Sequence, residues 1–332
     1  MRLTPLAALA VAALATPWAA ARGAPDDAPK LVLPLACEIG RSCEVQNYVD
    51  RDPGPAALDF HCGHRTYQAH NGTDFRVSDM AAQRAGVDVL AAAAGTVERL
   101  RDGEPDISIR APGAPSIAGR ECGNGVVIAH GGGWETQYCH LARGSLLVRP
   151  GDAVKAGQAI ARVGLSGDTE FPHLHLTVLH AGQAVDPFAP GPVSAPACAP
   201  QAGMWAEATA RELGYKRGAV LNAGFETSVG GMDAVEAGAL PAPSASSDAI
   251  VAYARLIGLE AGDVVELRLL GPDGAVLAAA TQPPLDHDKA QWLSQVGRKR
   301  PAAGWPHGVY VGELLVRRAG AAAISRRWQT TL

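Results

Sequence analysis

Residues 123–141 read GNGVVIAHGGGWETQYCHL. Two runs of strand-forming residues, Gly125 to His130 and Thr136 to Leu141, flank the glycines Gly131, Gly132 and Gly133. This arrangement predicts two antiparallel strands joined by a turn, because glycine reaches the positive-φ turn conformations that other residues avoid. The same grammar repeats outward in both directions. Val87 to Ala93, Ala159 to Val163 and His173 to Leu179 are further strand-like runs, punctuated by Gly95, Gly151-Asp152 and Gly157. No long amphipathic helix interrupts the stretch from Val87 to His175. The expectation is a small antiparallel β-core.

Beyond this core, APGPVSAPACAP at 189–200 is a Pro- and Ala-rich stretch that reads as a linker. Downstream of it, Asp248 to Leu259, Asp263 to Leu270, Ala275 to Ala280, Val309 to Arg317 and Ala322 to Trp328 have strand composition. Gly271-Pro272-Asp273-Gly274 supplies a tight turn between two of them. A second domain of β-sandwich type is expected. At the other end, Met1-Arg2, the apolar Leu6 to Ala15 and the small residues Ala19-Ala20-Ala21 have the order of an export signal. The division expected from sequence is a signal peptide over 1–21, a first domain over 22–188, a linker over 189–205 and a second domain over 206–332.

The formal charge of −4 on 332 residues is too mild to steer the chain toward nucleic acid. After the leader, no segment has the ~18 apolar residues of a membrane-spanning helix. Six cysteines, an even number in a chain bound for an oxidising periplasmic or extracellular space, predict three disulfides. None of them forms a C-x-x-C pair, which argues against a thiolate zinc knuckle or a thioredoxin-like centre. Cys122 opens the Cys-Gly-Asn-Gly turn into the strand ending at His130, and Cys139 lies on the next strand, immediately before His140. The antiparallel fold-back predicts a bridge between them, whereas Cys37, Cys43, Cys62 and Cys198 allow several pairings. Nothing in the sequence bears on oligomeric state.

Ten histidines are present, and three features draw some of them together. His70-Asn71-Gly72-Thr73-Asp74 separates an imidazole from a carboxylate by three residues, both good zinc donors, with Gly72 free to let the backbone curl. Alone the pattern is common on protein surfaces. Pro172-His173-Leu174-His175-Leu176 is more telling. On a strand, His173 and His175 share one face while Leu174 and Leu176 share the other. Two adjacent imidazoles buried for packing alone would both need hydrogen-bond partners. The third feature is His140, which strand alternation places on one face with Tyr138, opposite Cys139 and Leu141. His61, His64, His180, His287 and His307 read as surface or loop residues, and His130 as a residue beside the site. In the second domain Trp292, Trp305 and Arg298-Lys299-Arg300 invite a wall-binding reading, but a short charge run is more commonly a solvated turn.

Taken in order, HNGTDF (70–75), AAAAGTV (91–97), the opening stretch, VRPGDAVKAGQAIARVGLSGD (148–168) and PHLHL (172–176) resemble the lysostaphin (LytM-type) zinc metalloendopeptidases, which cut peptidoglycan. The resemblance covers about His70 to Phe188. It implies one zinc ion per chain held by His70, Asp74 and His175, with His140 and His173 acting on water and transition state. The implied substrate is a stem or cross-link peptide of bacterial peptidoglycan. Two departures bear on the substrate groove. Phe171 stands where many members have a small residue, and Arg101 to Arg120 form an insertion. No H-E-x-x-H helix is present, which excludes the arrangement with a glutamate base. Two rival functions follow from the same residues: a secreted lytic protease acting on other bacteria's walls or Gly-rich proteins, and a non-catalytic regulator of wall hydrolases. The second predicts missing ligands, and all five positions are filled.

Overall fold

The computed structural model describes residues 28–191, 198 and 202–332; the expected export signal lies outside them. The chain is mainly β. Ten strands precede the Pro- and Ala-rich stretch: β1 (Cys43–Asn47), β2 (Thr73–Val77), β3 (Asp88–Leu90), β4 (Gly95–Arg101), β5 (Asn124–Gly131), β6 (Trp134–Leu141), β7 (Ala153–Val154), β8 (Ala159–Arg162), β9 (His173–His180) and β10 (Gln183–Val185). Eight of them make one antiparallel sheet in the order β1-β2-β9-β6-β5-β4-β7, with β10 pairing the C-terminal end of β9, while β3 pairs β8. A helix, α1 (Met80–Ala85), follows β2 and is capped by Asp79, whose side chain accepts the amide of Ala82.

The expected turn at 131–133 joins β5 to β6, and all three glycines have positive φ. Sheet order explains why the histidine motifs meet. β9 lies between β2 and β6, so HNGTD, PHLHL and the strand ending at His140 become neighbours although β2 and β9 are about a hundred residues apart in sequence. One face of this sheet is apolar. Phe75, Ile128, Tyr138, Leu174 and Leu176 are fully buried in a core that also takes in Leu31, Trp134 and Val178. Each such side chain contributes about 1.5–3 kcal/mol of transfer free energy. Ala189, Met204 and Trp205, at the ends of the stretch read as a linker, are buried in this same core, and Leu31 forms a parallel bridge with Trp205.

The remaining strands are β11 (Ala219–Glu226), β12 (Ala249–Leu259), β13 (Val264–Leu270), β14 (Val276–Thr281), β15 (Lys289–Lys299), β16 (Val309–Arg318) and β17 (Ala321–Thr331), with helices α2 (Glu207–Glu212) and α3 (Met232–Ala237). They form a three-stranded sheet, β11-β12-β15, and a four-stranded one, β14-β13-β16-β17. Ile250, Ala252, Leu256, Val265, Leu267, Tyr310 and Val316, drawn from both sheets, share one core, which makes this part a β-sandwich. The basic run lies on a strand and not in the expected turn: Arg298 and Lys299 are paired residues of β15, opposite Ile250 and Ala249. Trp305 is buried with its indole N–H donated to the Ser247 carbonyl, and Trp292 packs against the sandwich core.

Three disulfides join Cys37 to Cys43, Cys62 to Cys198 and Cys122 to Cys139. The last is the bridge expected from the fold-back, with its Cα atoms 4.8 Å apart. Among the described residues no helix is long and apolar enough to cross a membrane.

Candidate active site

β2 and β9 build the site first. Their register sets Asp74 opposite His175 and Arg76 opposite His173, so the pleat presents all four side chains on the face away from Phe75, Leu174 and Leu176. His70 arrives from the turn before β2. That turn tolerates no side chain at Gly72, where a Cβ would lie 2.5 Å from His175 Nε2 and 2.8 Å from the Leu176 carbonyl oxygen. His70 Nε2 is 3.2 Å from Asp74 Oδ1 and 3.2 Å from His175 Nδ1, and His175 Nδ1 is 2.9 Å from the same carboxylate oxygen.

The orientation of each ring is fixed from behind. His70 donates Nδ1–H to the Tyr48 carbonyl at 2.6 Å. His175 Nε2–H faces Asn71 Oδ1 at 3.1 Å and Thr177 Oγ1 at 3.0 Å. Asp74 Oδ2 accepts from Asn47 Nδ2 at 2.9 Å. Partners of this kind select the tautomer and leave His70 Nε2 and His175 Nδ1 as lone-pair donors. Burial opposes charge on the Asp74 carboxylate, but the neighbouring His70 and His173 hold it well below the usual carboxylate range. Burial pushes His175 toward its neutral form. For His70 burial acts the same way, but the Asp74 carboxylate outweighs it and raises the imidazole. A tetrahedral zinc ion with arms of about 2.0–2.2 Å requires donor atoms roughly 3.3–3.6 Å apart. The triangle of His70, Asp74 and His175 is close to that size, and two nitrogens with one oxygen are a donor set zinc accepts. The residues fit the ion.

His140 reaches the same place by another route, and here the alternation argument fails. Tyr138 points into the core, where its hydroxyl accepts the Ala92 amide at 2.7 Å. Gln137 and Cys139 line the cavity instead. Asn124 pairs Leu141 and Val126 pairs Tyr138, so two residues of β6, Cys139 and His140, stand against Gly125 alone. This is a β-bulge. His140 takes φ of +62°, and the extra residue turns its side chain onto the site face, away from Tyr138's. The bulge backbone is satisfied: the His140 amide donates to the Cys122 carbonyl at 2.8 Å and its carbonyl accepts Gly164 N–H at 2.9 Å. The ring donates Nδ1–H to the Ser166 carbonyl at 2.8 Å. Burial, and then the neighbouring His173 and His175, push His140 well below its ordinary value.

His173 lies beside it, ring centroids 4.6 Å apart. It donates Nδ1–H to the Phe171 carbonyl at 3.0 Å, and its Nε2 comes within 3.4 Å of Asp74 Oδ1. With Nδ1 donating to a carbonyl, His140 and His173 each keep a lone pair on Nε2, and both rings lie beside the cluster of His70, Asp74 and His175.

A cavity of about 350 Å³ lined by Asn71, Glu121, Gln137, His140, Asp168 and His175 opens on one side of this constellation. A second, of about 400 Å³, opens on the other, where Phe171 and His173 meet Ile109 and Arg110 of the insertion and Ala290 and Gln291 of β15. Tyr67 and Asp168 belong to both. Asp106 anchors the insertion by accepting the amides of Arg143 and Leu165, and Ile109 N–H ties it to the loop that carries Phe171 by donating to the Thr169 carbonyl.

All five expected site residues are therefore brought together. His130 is not. It sits at the far end of β5, bonded to the Ala94 carbonyl and Thr136, and braces the 91–95 turn. His61, His64, His287 and His307 are exposed, and His180 stacks half-buried on Trp134. Not legible in the sequence were Tyr48, Ser166 and Thr169, which contact the histidine rings, and Asn47, which holds the Asp74 carboxylate. Backbone carbonyls carry no sequence signal, and only Asn71, inside its motif, was within reach.

Three donors that could hold a metal ion, with two further imidazoles beside them, are an arrangement suited to a metallohydrolase. Residues 68–187 match the profile of Peptidase family M23, and this part of the chain is an M23 peptidase domain. It is 36% identical over 119 residues to an uncharacterized metalloprotease of Haemophilus influenzae, covering 36% of this chain and 20% of that protein. It is 34% identical over 117 residues to the peptidoglycan DD-endopeptidase ShyA of Vibrio cholerae, covering 35% of this chain and 22% of that protein. The chain thus spans about a fifth of the length of these relatives. Among solved structures, a zinc-containing peptidase from Vibrio cholerae is 28% identical, covering 45% of this chain and 39% of that one, with a TM-score of 0.28.

Proposed function

We propose that the chain is an exported zinc endopeptidase that hydrolyses peptide bonds in the stem or cross-link peptides of bacterial peptidoglycan. One observation carries this reading: His70 Nε2, Asp74 Oδ1 and His175 Nδ1 converge within 3.2 Å of one another, beside the two free Nε2 atoms of His140 and His173. Zinc held by this triad, one ion per chain, would supply an acidified water and polarise the scissile carbonyl. The protein's own groups do the rest. With Nδ1 tied to a carbonyl, each of His140 and His173 offers Nε2 to the reacting atoms. One takes the proton of the attacking water as general base; the other, once protonated, stabilises the oxyanion by donating to it. The neutral form of His140 favoured by burial suits a proton acceptor at neutral pH.

The two cavities flanking the constellation make an open groove suited to an extended peptide entering from either side. The relatives named as metalloprotease and peptidoglycan DD-endopeptidase support the substrate class, and three disulfides suit a periplasmic or extracellular location. On this reading 22–188 form the peptidase unit, 189–205 the connection and 206–332 the sandwich. Incubating the purified chain with isolated sacculi, with and without a chelator, and sequencing the new peptide termini tests it. Chelator-sensitive release of peptides with new termini is expected. Sacculi left intact by zinc-loaded protein would leave a non-catalytic module as the correct reading.

A further inference from the structure

Arg76 stands on the same sheet face as Asp74, directly across from His173, yet it reaches toward the sandwich rather than the triad. It is fully buried. One nitrogen donates to Gln46 Oε1 at 2.6 Å and the other to Glu236 Oε2 of α3. That same carboxylate oxygen accepts from Arg255 of β12, also fully buried, whose guanidinium further bonds Asn222 and the Ser78 carbonyl. Two desolvated cations therefore share one carboxylate at the join between the peptidase sheet and the sandwich. The flat face of Arg76 is occupied as well. Its Cζ lies 3.7 Å from the centroid of the Phe171 ring, a cation–π contact made in a dry environment. The backbone carbonyl of Phe171 accepts both His173 Nδ1–H at 3.0 Å and the Thr169 hydroxyl at 2.7 Å.

We infer that Arg76, held by Glu236, is a positioning residue for His173 that acts through Phe171, so that the C-terminal sandwich forms part of the active-site scaffold. The chain of contacts is continuous: Glu236 orients the guanidinium, the guanidinium seats the Phe171 ring, and the seated Phe171 aims its carbonyl at His173 Nδ1. That hydrogen bond selects the tautomer whose Nε2 is free on the metal side. Without Glu236 the two guanidiniums repel each other in a buried space, and Arg76 has no reason to remain beneath Phe171. A side chain as large as phenylalanine at 171 then has a structural purpose: it offers the ring that a buried cation from beneath can grip. The catalytic consequence rests on the function proposed above, whereas the positioning of His173 can be read without it.

The experiment uses the full-length chain loaded with zinc and compares Glu236→Gln with Arg326→Gln. The latter removes a different contact between sheet and sandwich, the bond from Arg326 to the Gly40 carbonyl. Zinc content, kcat and KM on a peptidoglycan peptide, and ring ¹⁵N shifts of His173 are measured for each. Glu236→Gln should keep its zinc, lose about 10- to 100-fold in kcat with KM changed less than about threefold, and shift His173 from a single tautomer to an averaged one. Arg326→Gln should match the native chain in all three. Should Glu236→Gln not fold, Phe171→Leu removes the gripped ring while keeping an apolar side chain, and the same loss of a single His173 tautomer is expected. If the native chain proves inactive on peptides, the ¹⁵N signature still decides. A single native-like tautomer in the variant, or equal losses in both glutamine variants, would overturn the inference.

Discussion

β9 and β6 run side by side and both bring histidine to the site, but by opposite means. β9 does it by regularity: His173 and His175 are two apart on an undistorted pleat, with Leu174 and Leu176 locked in the core on the other side. β6 does it by a fault. An extra residue at Cys139–His140 breaks the alternation, and a positive φ at His140 turns the ring onto the site face. A regular strand holds its side chains through many ladder bonds. A bulge needs local support, which here comes from the Cys122–Cys139 bridge, the bond from His140 N–H to the Cys122 carbonyl, and Ser166 at the ring. The regular strand and the bulged one hold their histidines by different means, and mutagenesis can probe that difference.

The largest effect is expected at the ligand positions. His175→Ala or Asp74→Ala should abolish metal binding and bring hydrolysis down to background, as metal analysis alongside peptide release will read. A smaller loss is expected at the other pair. His140→Ala and His173→Ala should retain close to one zinc per chain while kcat falls by about 10²–10⁴-fold. A zinc-free His173→Ala beside a fully loaded His175→Ala would reverse the assignment.

Removing the support of the bulge should separate the strands further. Replacing Cys122 and Cys139 together by serine should cost about 2–4 kcal/mol of stability. The same change should lower kcat by up to about 10²-fold, since the ring of His140 loses its aim, without loss of zinc. Chemical denaturation and steady-state kinetics check both. A double-serine variant with native kcat would show that the bulge holds itself.

The smallest effect concerns protons in the metal-free chain. His140 is pushed down in the fold by burial and its imidazole neighbours, from an ordinary value near 6.5. Below that pH the unfolded chain takes up a proton that folded His140 refuses, so native stability falls as pH falls. His140→Gln lacks this contribution. The stability of the native chain relative to this variant should therefore drop by up to about 1.4 kcal/mol per pH unit below 6.5. Parallel stability curves for the two proteins would mean that His140 titrates normally.

Sequence and structure agree where the determinants are local. The His70-x-x-x-Asp74 turn, the period-two pair His173 and His175, and the glycine turn at 131–133 are all legible because a few adjacent residues dictate them. So is the Cys122–Cys139 bridge, since one hairpin brings its two ends together. The face of His140 is not legible locally, because a bulge is decided by the partner strand: Gly125 leaves room for two residues opposite one, and nothing within QYCHL says so. β15 was overlooked because its strand pattern, KAQWLSQVGRK, is half polar and ends in a charge run whose pairing with β12 only the sandwich reveals.

What the sequence determined by itself is the chemistry: which imidazoles and which carboxylate are present, at spacings that let them share one ion. The tertiary structure decided orientation and neighbourhood. It placed β9 between β2 and β6, turned His140 inward, and aimed three rings by carbonyls of Tyr48, Ser166 and Phe171. It closed the Cys62–Cys198 bridge across 136 residues, and it set Glu236 of the sandwich against Arg76 beneath Phe171. Donor identity is a property of the residue and is written in its letter. Donor direction depends on contacts between residues distant in the chain, and these exist only once the core has packed.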